Sequence, residues 1–503
     1  MRRLTNLTAL ACAAASLVAA AENPRTPRLQ PVATSFAAKG SLPGFALHLA
    51  PDTASVCNSS TPGIAGRLET HNTDQSRVFF WLFESKGDPL NDPLILWMSG
   101  GPGASSAGYG NLMELGPCRI ANGGGHTVDN PFAWNTNASV LFVDQPVSVG
   151  FSTAKEIPRG IAAASKAMDQ FMRQFATAFP QLAKRDFYIA GESYGGSWVP
   201  TLATTILSNQ GHATSPRRTI SGLSVQDTSD GSSIGVLSGE PNIPHLNLQG
   251  IMIGNGLVRH RYQNPGTLEA ACSGPESLLS PVECERWAPW SAWCEQHLDR
   301  CEEAGLLDEE CKKTMKKCGA LDEYVLESLG RNPYNWLEHC EVEDMMSCVP
   351  SAQWVNDFMN RTDIKEALGV PADTEFNGVS YAVLELWDSL GETLKRSDDH
   401  VNDLLNSGIR VLIYVGDKDF LAHAAGTRRM VNEGLAWHGS PLFRFRELVP
   451  WYSGSKVAGR WKSYDTLTYA EVFQAGHLAP LDKAGETLDL INGWLFNGFP
   501  PPA

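Results

Sequence analysis

Two stretches of this 503-residue chain place a serine between glycines at the spacing a nucleophile uses. Gly191-Glu192-Ser193-Tyr194-Gly195 and Gly231-Ser232-Ser233-Ile234-Gly235 both read G-x-S-x-G. The pattern alone is weak, and physical context separates the two. A serine offered for attack must sit on a strained turn between a strand and a helix, with small neighbours that avoid clashes. Ser193 follows the apolar run DFYIA (186–190) and precedes a helical stretch, whereas Ser233 lies in a polar, aperiodic segment. Ser193 is the candidate nucleophile and the second match reads as chance. A serine hydroxyl is a weak nucleophile until a base takes its proton, and the base must in turn be oriented by an acid.

In the α/β-hydrolase arrangement the acid and the base follow the serine in that chain order, each beyond the C-terminal end of a strand. Asp417 and Asp419 lie just after RVLIYVG, within VGDKDF, and spacing does not choose between them. His477 follows EVFQAG in AGHLAP, near the C-terminus. Among twelve histidines the nearest rival is His423, which comes four residues after Asp419 without a strand of its own. A developing oxyanion needs backbone N–H donors, one from Tyr194 and one from the loop after an early strand. Trp97-Met98-Ser99-Gly100-Gly101-Pro102-Gly103 follows the apolar run PLILWM, and its glycines let the backbone approach a reacting carbonyl. A phosphate loop is excluded, because neither G-x-x-x-x-G-K-[ST] nor G-x-G-x-x-G occurs.

Strands that could position these groups are VFFWLF (78–83), PLILWM (93–98), ASVLFV (138–143), DFYIA (186–190), LQGIMIG (248–254), RVLIYV (410–415) and residues 469–473. Helical periodicity covers 160–178, 197–207 and 483–496. Strands alternating with helices predict an α/β fold, a mostly parallel sheet covered on both faces. Residues 260–380 interrupt that alternation as an insert. The expected organisation is a signal peptide at 1–21 and a propeptide or strap at 22–45. A core at 46–259 follows, with a surface loop at 208–245 in which Arg217-Arg218 reads as two solvated arginines. The cap at 260–380 and the rest of the core at 381–503 complete it.

Lys and Arg number 40 against 55 Asp and Glu, giving a formal charge of −15, and 43% of residues are hydrophobic. That composition supports a large core, and the charge argues against nucleic acid and anionic membranes as partners. Arg2 and Arg3 followed by the apolar run Leu7–Ala20 read as a secretory signal, too short to span a membrane. Its removal takes Cys12 and leaves ten of eleven cysteines, an even set that fits disulfides in an oxidising compartment. Eight of them lie between 272 and 348, where a small insert would need bridges to compensate for a small core. No C-x-x-C pair or zinc-protease motif is present, so no metal or organic cofactor is expected. Asn58, Asn137 and Asn360 stand in N-x-[ST] sequons.

WMSGGPGASS, NPFAW, VLFVDQPVSVGFS, GESYGG, IGNGL, VGDKDF and AGHLAP, in this order between about residues 65 and 498, resemble the motifs of the serine carboxypeptidase family, fungal carboxypeptidase Y type. The resemblance implies an α/β-hydrolase fold with a disulfide-rich, mainly helical cap. It implies a triad of Ser193, Asp419 and His477, and oxyanion donors at the N–H groups of Gly101 and Tyr194. It further implies recognition of a substrate's free α-carboxylate by the residue at 99, the N–H of Gly100, Glu114 and Glu192. Two glutamates beside a carboxylate cannot all be ionised, so an acidic optimum is expected for peptides and a higher one for esters and amides.

The family's asparagine is Ser99 here, and its usual cysteine after G-G-P-G is Ala104, with no cysteine near 375–380 to partner it. The reactive cysteine some members carry near the acid is Ala422, so thiol reagents should inhibit poorly. Cys57 and Cys118 are left to pair with each other. Family order pairs Cys272–Cys284, Cys294–Cys318, Cys301–Cys311 and Cys340–Cys348. The expected protein is a secreted or vacuolar/lysosomal hydrolase of C-terminal peptide bonds, acting on peptides or proteins with a free C-terminus. An acyltransferase or broader esterase/amidase on the same triad, and a non-catalytic binding protein on the fold, are the alternatives. The sequence is silent on oligomeric state.

Overall fold

The computed structural model describes residues 29–37, 42–61, 63–71, 75–211, 244–273, 276–304, 308–340 and 345–496. The signal-peptide segment, Cys12, Arg217-Arg218 and Ser233 lie outside them. Fourteen strands are formed among the described residues: β1 Ser35–Phe36, β2 Phe45–Leu49, β3 Gly63–Thr70, β4 Arg77–Phe83, β5 Leu94–Met98, β6 Cys118–Ile120, β7 Thr127–Asp129, β8 Ser139–Val143, β9 Phe187–Glu192, β10 Leu248–Gly254, β11 Arg410–Gly416, β12 Val449–Ser453, β13 Lys456–Tyr464 and β14 Leu467–Val472. Twelve of them make one sheet in the order β1-β2-β3-β4-β8-β5-β9-β10-β11-β14-β13-β12. The centre, β8-β5-β9-β10-β11-β14, is parallel, and antiparallel strands flank it on both sides.

The central strands read as unbroken apolar runs because both faces of the sheet are covered. In β5, alternate residues point to opposite faces. Leu94, Leu96 and Met98 join one core with the helices Ile161–Ala178 and Gly195–Asn209, while Ile95 and Trp97 join a second with the C-terminal helix Ala484–Phe496. Parallel strands also put all their C-terminal ends along one edge. The turns after β5, β9, β10, β11 and β14 therefore emerge side by side, and these are the turns that carry the chemistry-bearing residues.

Helices His260–Cys272, Pro281–Ala304 and Glu309–Cys318 lie within the insert. Its own apolar clusters are small, one being Cys294, Leu298 and Cys318 with neighbouring Trp290, Trp293 and Met315. Five cysteine pairs lie at disulfide distance: Cys57–Cys118, Cys272–Cys284, Cys294–Cys318, Cys301–Cys311 and Cys340–Cys348. Four of the five tie the insert, closing short loops where apolar burial is least. Part of the stretch read as a propeptide or strap lies on the sheet: Leu29 is fully buried and Ser35–Phe36 pairs with Phe45–Ala46.

Candidate active site

Ser193 occupies the two-residue turn, Ser193-Tyr194, between β9 and the helix Gly195–Asn209, with φ of +58°. Left-handed backbone at a non-glycine residue costs roughly 1–3 kcal/mol and persists only where the surroundings impose it. Here the surroundings are β10 and the turn after it. Ser193 N–H donates to the carbonyls of Gly254 (3.1 Å) and Asn255 (3.2 Å), and the Ser193 carbonyl accepts from Leu257 N–H at 2.9 Å. The turn after β5 then runs against the serine. A Cβ on Gly100 would lie 2.6 Å from Ser193 Cβ and 2.8 Å from Tyr194 N, so only glycine allows this approach. Gly101 has φ of +104°.

The turns after β11 and β14 bring Asp419 and His477 together. His477 Nδ1 lies 2.8 Å from Asp419 Oδ2, with the two side chains 3% and 0% exposed. The other oxygen, Oδ1, accepts from the N–H groups of Leu421 (2.8 Å) and Ala422 (3.2 Å). Asp417 turns away, accepting from Gln474 N–H at 2.6 Å and pairing with Lys418 at 3.3 Å. The geometry thus separates the two aspartates that spacing left equal. His423, the rival histidine, is buried and built into the cap junction. Its Nδ1 accepts from Gly426 N–H at 3.0 Å and its Nε2 lies 3.3 Å from Thr267 Oγ1. Burial pushes its pKa down to about 4.

Ser193, His477, Gly100, Gly101, Ser99, Glu114 and Glu192 line one cavity of about 440 Å³. Its remaining walls are mostly apolar and include Met113, Leu257, Val379, Tyr381, Leu384 and Leu421. The two glutamates are buried, 1% and 4% exposed, and hydrogen-bonded to each other. Burial pushes the Glu114 carboxyl from 4.5 up to about 7. Burial, and then the charge of Glu114, hold Glu192 well above its ordinary range. The two carboxyls titrate as a coupled pair, both held above the ordinary range chiefly by burial. Ser99 Oγ accepts from Trp97 Nε1 at 3.1 Å, which leaves the hydroxyl's own proton to donate.

A buried histidine–aspartate pair, a strained serine and two buried glutamates now face one cavity. The family model described as serine carboxypeptidase matches residues 56–497. The chain belongs to the serine carboxypeptidase family. It is accordingly a serine carboxypeptidase, a hydrolase acting on peptides. It is 30% identical to carboxypeptidase Y of Komagataella phaffii over 465 residues, covering 91% of this chain and 80% of that one. To carboxypeptidase Y of Saccharomyces cerevisiae it is 32% identical, covering 86% and 75%. In fold it is similar to the crystal structure of a prohormone-processing carboxypeptidase from Saccharomyces cerevisiae, with TM-score 0.70, 20% identity and coverage of 91% and 93%.

At the position of the family's usual disulfide this carboxypeptidase has a backbone ladder. Ala104 bridges Val379, Ser105 N–H donates to the Gly378 carbonyl at 2.8 Å, and Ser380 N–H donates to Gly103 at 2.9 Å. Of the three sequons, Asn58 is exposed and Asn137 half-buried, whereas the Asn360 amide is occupied. Its Nδ2 donates to the carbonyls of Asn356 (3.1 Å) and Phe376 (3.2 Å), and its Oδ1 accepts from Phe376 N–H at 2.9 Å.

Sequence reasoning missed three parts of the site. Asp144, fully buried, accepts from Ser105 Oγ (2.6 Å), Ala107 N–H (3.0 Å) and Phe151 N–H (3.2 Å) and so pins the turn after β5. Tyr334, from the insert, accepts His477 N–H on its carbonyl at 2.6 Å. Asn255 touches Asp419 directly. Its place after a strand, in IGNGL, was the one signal that could have marked it. Among the described residues no group of three or more ligating side chains is arranged to hold a metal, and no helix is long and apolar enough to cross a membrane.

Proposed function

We propose that this protein removes the C-terminal residue of peptides through an acyl-enzyme on Ser193. His477 Nδ1–H donates to Asp419, which fixes the tautomer and leaves Nε2 facing the cavity as base. It takes the Ser193 proton as Oγ attacks the last peptide carbonyl. The N–H groups of Gly101 and Tyr194 stabilise the oxyanion. The same proton then goes to the leaving amine, the terminal amino acid departs, and water attacks the acyl-enzyme by the reverse path. The observation that carries this reading is the pair of buried glutamates in the cavity that Ser193 lines, because it gives a reason for acting at chain ends. A substrate carboxylate is held by donation from the glutamate pair, when both carboxyls carry their protons, and from Ser99 and Gly100 N–H.

That arrangement works best where both carboxyls hold protons, which places the peptidase activity in acidic surroundings. A vacuolar or secreted setting satisfies this, and curated relatives include a vacuolar serine-type carboxypeptidase. The assignment is tested by reacting the purified protein with a fluorophosphonate and mapping the adduct. Phosphonylation of Ser193, lost in Ser193→Ala, is expected. Labelling elsewhere, or none in a folded sample, overturns it.

A further inference from the structure

We infer that Asn255 is the positioning residue that locks the three catalytic turns into register, an assignment that rests on the triad proposed above. Asn255 follows β10 and is fully buried. Its Nδ2 donates to Asp419 Oδ2 at 2.8 Å, the same oxygen that holds His477 Nδ1. That group also lies 3.2 Å from the carbonyl of Gly476, the residue just before the histidine. Its Oδ1 accepts from Gly416 N–H at 3.3 Å, at the end of the strand that leads to the aspartate. Its backbone carbonyl accepts from Ser193 N–H at 3.2 Å, and its own N–H donates to the Tyr414 carbonyl at 2.8 Å. One residue therefore bonds to the turn of the nucleophile, the turn of the acid and the turn of the base.

The chemistry of the amide explains why this residue suits the place. Its φ is +44°, a left-handed value that asparagine tolerates better than most side chains. The side chain supplies two donors and one acceptor without charge. A neutral donor to Asp419 keeps that carboxylate aimed, so that its Oδ2 lone pairs serve Asn255 and His477 together. A carboxylate in the same place would repel Asp419, and an apolar side chain would leave the second lone pair of Oδ2 unbonded in a buried site. Asp419 is the ionisable group that the amide bonds, His477 bonds the same oxygen of Asp419, and Glu192 and His423 lie close enough to Asp419 for their charges to interact.

The test uses the full-length enzyme, an N-blocked amino acid ethyl ester and two variants. Asn255→Gly keeps the backbone conformation and removes the donor. Asn255→Asp keeps the shape and converts the donor to a titrating acid. For Asn255→Gly, kcat is expected to fall about 10²-fold, as for a displaced catalytic group, with KM near that of the unmodified enzyme. For Asn255→Asp, the introduced carboxyl shares a proton with Asp419 at acid pH and restores the bond. Its rate relative to the unmodified enzyme, measured at each pH, should drop at least about tenfold between pH 5 and 8 as that proton is lost. Normal kcat in folded Asn255→Gly, a pH-independent rate ratio for Asn255→Asp, or failure of both variants to fold would overturn the inference. Ser193→Ala run in parallel separates the two claims: if that variant stays active, the triad reading itself fails, whatever Asn255 does.

Discussion

Raising the pH through 7 should switch off peptide hydrolysis while sparing ester hydrolysis, and the glutamate pair sets the size of the effect. Glu114 titrates at about 7, and Glu192 well above its ordinary range. Below 7 the pair is neutral and offers a proton to the substrate carboxylate. Above 7 the first ionisation puts a negative charge beside that carboxylate. Two such charges about 4 Å apart repel by about 4 kcal/mol at an effective dielectric constant of about 20, close to 10³ in binding. The ionised form therefore contributes almost nothing to turnover. For an N-blocked dipeptide, kcat/KM should fall about tenfold per pH unit above 7, over as many as about three units. Dividing by kcat/KM for the ethyl ester with the same side chains cancels every pH effect common to the two substrates and leaves the pair alone. The double variant Glu114→Gln/Glu192→Gln keeps hydrogen-bonding amides that never ionise, so its peptide-to-ester ratio should be flat from pH 4 to 9. A flat ratio in the unmodified enzyme, or a break that survives in the double variant, refutes the reasoning.

Stability should follow the same direction. Burial pushes Asp144 up to about 6 and Glu114 up to about 7, so between about pH 4 and pH 7 the folded state binds more protons than the unfolded one. Stability then declines as pH rises, by about 3 kcal/mol from each of these two groups. The melting temperature should be highest near pH 4–5, and a rise from pH 5 to 8 would contradict this. Ser99→Ala removes one donor to a charged substrate group. Its peptide-to-ester ratio should drop about tenfold, equivalent to about 1.4 kcal/mol, with ester turnover unchanged. An unchanged ratio would remove Ser99 from the carboxylate site.

The central strands were legible because burial on both faces forces continuous apolar runs: LQGIMIG was read as 248–254 and forms Leu248–Gly254. The edges were not legible. β2, β3 and the β12–β13 hairpin carry Gly, Lys, Arg and Ser on half-exposed faces, so their hydrophobic pattern is weak even though pairing holds them in the sheet. The same limit applied at the site. Ser193 was recognisable because an elbow demands a strand, a turn and a helix in sequence, a purely local pattern. Choosing Asp419 over Asp417 needed the family resemblance, since which carboxylate turns inward depends on Gln474 and Lys418 competing for Asp417. The contacts that Asn255 makes to Asp419, that Asp144 makes to Ser105 and Ala107, and that Tyr334 makes to His477 cross long sequence separations, and no local spacing encodes such a contact. The four cysteine pairs of the insert follow the order the resemblance implies, which composition alone could not have given, and Cys57 lies at disulfide distance from the other cysteine left over, Cys118.

The most direct test of the whole account is release of the last residue from an N-blocked dipeptide and from its C-terminal amide, across pH 4 to 8, with Ser193→Ala alongside. The account predicts that the free acid is cleaved better than the amide at low pH, that this advantage shrinks as pH rises past 7, and that Ser193→Ala releases nothing from either. Equal cleavage of acid and amide at every pH would mean that the glutamate pair does not read the chain end, and residual activity in Ser193→Ala would mean that the nucleophile lies elsewhere.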